Sequence, residues 1–100
     1  MTRYILDDSG NPVPCPDLLT WVRWFETAGD RVIAQDTVDP KIMVSTVFLG
    51  LDHNFSHGEP ILWETLIFGG PHDGEGDRYT SRADAEKGHA KYLAIARNGQ

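Results

Sequence analysis

The stretch Ile42-Met43-Val44-Ser45-Thr46-Val47-Phe48-Leu49-Gly50-Leu51 decides the fold. It is rich in β-branched and aromatic residues, so it reads as a strand. Apolar side chains fall on both of its faces, which is the pattern of a central strand rather than an edge. Ile61 to Phe68 is a second strand. Its alternate positions divide into Trp63, Thr65 and Ile67 on one face and Leu62, Glu64, Leu66 and Phe68 on the other. Before them, Arg31 to Thr37 reads as a strand closed by the turn Asp39-Pro40. Three strands joined without helices form an antiparallel meander. Arg78-Tyr79-Thr80 adds a short edge strand, and Arg3 to Leu6 another near the start.

Two helices flank the meander. The first begins at Asp17, whose carboxylate is expected to cap an orphan amide. Leu18, Trp21, Val22, Phe25 and Ala28 make its buried stripe, and Gly29 ends it in the left-handed conformation. Trp24 and Leu19 lie off the stripe, so Trp24 is either a partner-binding anchor or packing under the N-terminal segment. Between strand and helix, Asp8 to Pro12 is a turn, and Pro12, Pro14 and Pro16 keep the chain extended. Ser81 caps the second helix, with Asp84 in a box-like position. Ala85, His89, Tyr92, Leu93 and Ala96 form its inner stripe, and Asn98-Gly99 ends it. The expectation is one α+β domain over residues 1–100: a three- to four-stranded antiparallel meander with two helices packed on one face.

Charge and composition narrow the function. The 100 residues carry fifteen acids against nine Lys and Arg, a net charge of −6. The basic residues are scattered, so general nucleic-acid binding is not expected. No apolar run approaches the length of a membrane span. The start, Met1-Thr2-Arg3-Tyr4, is followed at once by Asp7 and Asp8, so no secretory leader is expected. Cys15 is the single cysteine, which excludes an intrachain disulfide and fits a small-apolar role.

Three constellations have residue types that carry chemistry. The segment Asp52-His53-Asn54-Phe55-Ser56-His57-Gly58-Glu59-Pro60 mixes imidazoles with carboxylates, the ligand set of zinc and related ions. Asp52, His53 and His57, with His89, are the candidate metal ligands. The competing reading is a polar connection whose side chains cap its own backbone. Asp73-Gly74-Glu75-Gly76-Asp77 alternates acids as the front of a calcium loop does. Arg78 stands where such a loop needs Gly, and a strand precedes it. An exposed acidic hairpin, with Asp73, Glu75 and Asp77 as partner-binding residues, is the simpler account. Third, Glu64 and His89 would meet as a buried pair if the second helix covered the Glu64 face; such a pair transfers protons or fixes a helix on a sheet. No nucleophile elbow or phosphate loop accompanies them, so the balance leans away from an enzyme, and no cofactor is expected.

Arg3-Tyr4-Ile5-Leu6-Asp7, Gly10 to Pro14, Asp17-Leu18-Leu19 with Trp21, Trp24 and Phe25, Val44 to His53, Trp63-Glu64-Thr65, Phe68-Gly69-Gly70, Arg78-Tyr79 and Gly88-His89 span nearly the whole chain. In these stretches it resembles small accessory proteins encoded by tailed phages and prophages. The resemblance implies a setting in the cytoplasm of a bacterial host and brings no catalytic residues with it. What it favours is an acidic protein-binding module that engages a host or phage protein, an inhibitor of a host defence system among them. Metal-dependent hydrolysis and a structural place in the virion are the alternatives. A homodimer through Trp24 or an exposed strand edge is a further expectation.

Overall fold

The computed structural model describes residues 2–98. Its elements run β1 (Tyr4–Leu6), β2 (Pro12–Pro14), α1 (Leu18–Thr27), β3 (Val32–Asp39), β4 (Ile42–Phe48), β5 (Trp63–Phe68), β6 (Gly76–Tyr79) and α2 (Arg82–Asn98). β3 to β6 form an antiparallel sheet in chain order, the expected meander, while β1 and β2 pair as a separate two-stranded ribbon. The α+β class holds.

The register divides the meander into two unlike faces. Val44 pairs with Ile67, Thr46 with Thr65 and Phe48 with Trp63, all buried under α2. Met43, Ser45 and Val47 point the other way, as do Glu64, Leu66 and Phe68, and all six are partly or largely exposed. Strict alternation along β4 therefore makes it a central strand with one covered face. No helix among the described residues is long and apolar enough to cross a membrane.

α2 is seated by its small residues. Ala85, Gly88, His89, Tyr92 and Ala96 are buried, as their spacing predicts except for Gly88, and Leu93 is half-buried. A Cβ on Gly88 would lie 1.9 Å from the Tyr79 hydroxyl oxygen, so the close approach of α2 to β6 requires glycine. The Ser81 hydroxyl accepts the Asp84 amide at 3.1 Å, the expected cap. The Gly99 stop lies outside the described residues.

α1 packs at the Phe48 end of the same face. Trp24 meets the Phe48 ring edge-on, with centroids 5.8 Å apart. The Trp21 indole donates to the carbonyls of Tyr4 and Gly50, both at 3.1 Å, which ties α1 to the ribbon.

Three expectations are corrected. Asp17 does not cap a backbone amide; its carboxylate accepts the Thr20 hydroxyl, which holds it below the usual aspartate range. Gly29 is not left-handed: α1 stops at Thr27, Ala28 is extended, and Gly29 opens a single 3-10 turn. Leu18 belongs to the expected buried stripe yet is 53% exposed. The proline-rich segment is extended as expected over Pro12–Pro14, where it also pairs as a strand: Val13 sits opposite Ile5, and Asp7 closes the turn by accepting the amides of Ser9 and Asn11.

Candidate functional site

The core beneath α2 is built in three rows. At one end Leu6, Phe48, Leu62, Trp63 and Ala85 cluster; at the other, Ile42, Val44, Ile67, Tyr92 and Ala96 do. Between them lies a polar row. The Thr46 and Thr65 hydroxyl oxygens are 2.6 Å apart, and Thr46 Oγ1 is 2.7 Å from His89 Nδ1. His89 Nε2 is 2.7 Å from Asp36 Oδ2. A neutral ring with its proton on Nε2 satisfies the whole row. Nε2 donates to Asp36, Nδ1 accepts from Thr46, and Thr46 accepts from Thr65.

A hydroxyl, an imidazole and a carboxylate in series are the parts of a hydrolytic triad. Here they lack access. Thr46 and Thr65 are fully buried in central strands. None of the four hollows described below is lined by Thr46, Thr65, His89 or Asp36. A nucleophile must reach a reacting atom at about 3 Å, and Thr46 has none to reach. The row is therefore a polar bolt between α2 and strands β3, β4 and β5.

The expected pair of Glu64 and His89 does not form. Strand alternation puts Glu64 on the face opposite α2, where its carboxylate accepts Arg78 Nε at 2.8 Å. His89 takes Asp36 as its carboxylate partner instead. Sequence reading found the buried histidine but missed Asp36, which lies 53 residues away. The signal was its place on β3, one residue in a strand whose register was not yet fixed.

The Asp52 to Pro60 segment is organised around its own backbone. Asp52 Oδ1 accepts the amides of Asn54 at 2.8 Å and Ile61 at 3.0 Å, closing the base of the loop. The Asn54 amide group donates to the Glu59 carbonyl at 2.9 Å. His53 Nδ1 lies 2.8 Å from the Leu51 carbonyl, which can only accept, so that nitrogen carries the proton. His57 is exposed. Among the described residues no three His, Cys, Asp or Glu side chains stand together as a metal site. The hollow here, about 470 Å³, is lined by Thr2, Asp52, Asn54, Phe55 and Ser56.

The acids of the β5–β6 hairpin are exposed, yet each has an internal partner. Asp73 accepts the Gly69 amide at 2.7 Å, and Glu75 pairs with His72. Asp77 accepts the Tyr92 hydroxyl at 2.7 Å and has Lys91 Nζ at 3.6 Å. That hydrogen bond, with burial behind it, pushes the Tyr92 hydroxyl up to about 12. Trp24, the remaining candidate anchor, is half-buried against Phe48 and Phe25.

What remains available is the outer face of the sheet. Phe68 is 46% and Val32 43% exposed there, beside the half-buried Met43, Val47 and Leu66. A hollow of about 110 Å³ lies among Ser45, Val47, Glu64, Leu66 and Phe68. A wider one, about 330 Å³, borders it at Glu64, Leu66, Gly76 and Arg78. A fourth hollow, about 360 Å³, separates the β1–β2 turn from the start of α2. No family model, curated protein or solved structure matches this chain.

Proposed function

We propose that this chain works by binding another protein, through the uncovered face of its sheet, and not by catalysis. The carrying observation is the contrast between the two faces of β4 and β5. One is sealed by α2; the other leaves Phe68, Val47, Leu66 and Met43 in reach of a partner. An apolar patch rimmed by polar side chains is the ordinary form of an interaction surface. The burial of Thr46, Thr65 and His89 supports the same reading, because the hydroxyls of that row, the groups that would act as nucleophile, are covered by α2.

The setting follows from the sequence resemblance: a tailed phage or prophage product in the bacterial cytoplasm, directed at a protein of the host, its defence system included. The acidic loops steer the encounter and keep the −6 chain dispersed. The experiment is capture from bacterial lysate with tagged chain. Leu66→Lys on the sheet face is expected to lose retained partner about tenfold or more, as truncating a central contact does. Leu19→Asp, on the exposed side of α1, is expected to retain it. Undiminished capture by Leu66→Lys would overturn the proposal.

A further inference from the structure

We infer that the hollow between the β1–β2 turn and the start of α2 is a binding site for a small organic carboxylate with an apolar body. The hollow, about 360 Å³, has the size of a small-molecule site. Trp63 in its wall belongs to the row that α2 covers, so the hollow lies on the helix side of the sheet. It is separate from the open face proposed above for a protein partner.

The helix entrance supplies the first donors. α2 runs 17 residues from Arg82, and the start of such a helix presents orphan amides and the positive end of its dipole. The Ser81 hydroxyl accepts the Asp84 amide and the Ser81 carbonyl accepts the Ala85 amide. That leaves the Arg82 and Ala83 amides for an incoming acceptor, the usual anion-binding use of a helix start. Arg82 adds the charge. Its Nε donates to Glu86 at 3.1 Å, and its Nη1 lies 3.6 Å from where a Cβ on Gly10 would stand. The guanidinium therefore reaches from the helix to the turn across the hollow.

The independent observation is Trp63. It lines the hollow, is 3% exposed, and its indole N–H is buried with no acceptor among the described residues. The Trp21 indole, by contrast, has two carbonyl acceptors. A buried donor without a partner is rare, and one in the wall of a hollow points to an acceptor that enters from outside.

The lining fixes the class of ligand. Its donors call for an oxygen-rich acceptor group, and Arg82 is its one charged residue. Asp8, Asp84 and Glu86 adjoin the lining residues in a chain of −6, so a single negative charge suits the hollow better than the double charge of a phosphate. The Trp63 ring and Pro12 form an apolar wall for the rest of the molecule.

The test is a titration of the nitrogen-15-labelled chain with sodium benzoate at constant ionic strength, read by its amide and indole resonances. The Trp63 indole and the Arg82 and Ala83 amides should shift together and saturate with a Kd on the order of 1 mM, as a ligand this small reaches. The Trp21 and Trp24 indoles should stay in place. Arg82→Gln, at an exposed site, should weaken binding about tenfold with the remaining spectrum unchanged. Asn11→Asp, which adds a carboxylate to the wall, should weaken it similarly. Benzylamine, of the same shape and opposite charge, should leave the three resonances unmoved, and inorganic phosphate should bind more weakly than benzoate. No saturable shift of the Trp63 indole up to about 20 mM benzoate overturns the inference. So does binding indifferent to both Arg82→Gln and Asn11→Asp, or a response to benzylamine or phosphate equal to that of benzoate.

Discussion

Gly88 and Tyr79 set the spacing of helix and sheet. Replacing a helix-interior glycine by alanine ordinarily gains about 1 kcal/mol from backbone entropy. At Gly88 the new methyl carbon would overlap the Tyr79 hydroxyl oxygen and its ring carbon, which overpacking makes more costly than the entropy is favourable. Gly88→Ala is therefore expected to lose about 1–2 kcal/mol net, read as a lower midpoint in a denaturant titration. Tyr92 gives a pH signature. Its hydroxyl is raised to about 12 by Asp77 and by burial, against about 10 unfolded. The folded state thus holds a proton that the unfolded chain has released. Its contribution is complete below pH ~10 and is lost as pH rises toward ~12. Tyr92→Phe should flatten the decline in stability across that window in melts of the two proteins. Of the two helix positions, Tyr92 was expected on the buried stripe and Gly88 was not. Their partners, Tyr79 and Asp77, were not legible, because each depends on how far along the helix β6 falls.

At the scale of elements, the polar row decides how α2 lies on the sheet. A shift of α2 along its axis would set His89 against an apolar row and leave the Thr46 hydroxyl proton without its acceptor. Buried polar groups left unpaired cost about 1–3 kcal/mol each, which selects this register over its neighbours. Thr46→Val keeps the shape and removes the hydroxyl between Thr65 and His89. It should cost about 1–3 kcal/mol, measured by chemical denaturation, with no change in capture by the sheet face. The loop after β4 is held in the same manner. Asp52→Ala removes the acceptor for two amides, and the expected outcome is faster amide exchange at Asn54 and Ile61 with β4 and β5 still protected. The strands of the meander were legible from their alternation and their β-branched residues. The β1–β2 ribbon was not, because Pro12 and Pro14 are poor strand residues, and their pairing is set by the Asp7 turn and the anchoring of Trp21. The candidate sites fared differently for one physical reason. Asp52, His53, Asp73 and Asp77 have residue types that bind ligands, but the same carboxylates and rings satisfy local backbone or neighbouring side chains here.

The whole molecule is a two-layer body with one layer open. Both helices take the same face of the meander, so the opposite face is left to whatever the protein meets. Sequence alternation already placed Glu64, Leu66 and Phe68 together. What it could not supply was which of the two faces the helices would choose, and with the choice reversed Glu64 would have met His89. The one acid on this open face, Glu64, is paired with Arg78, so we propose that the acidic character elsewhere governs approach and the apolar rows govern contact. The most direct measurement of that claim is hydroxyl-radical footprinting of the native chain in its bound state, followed by mass spectrometry. Phe55, 77% exposed in its loop, serves as the internal standard. Oxidation of Met43 and Phe68 is predicted to fall severalfold on binding while Phe55 is unchanged. Met43 and Phe68 reacting at the same rate bound and free would contradict the account.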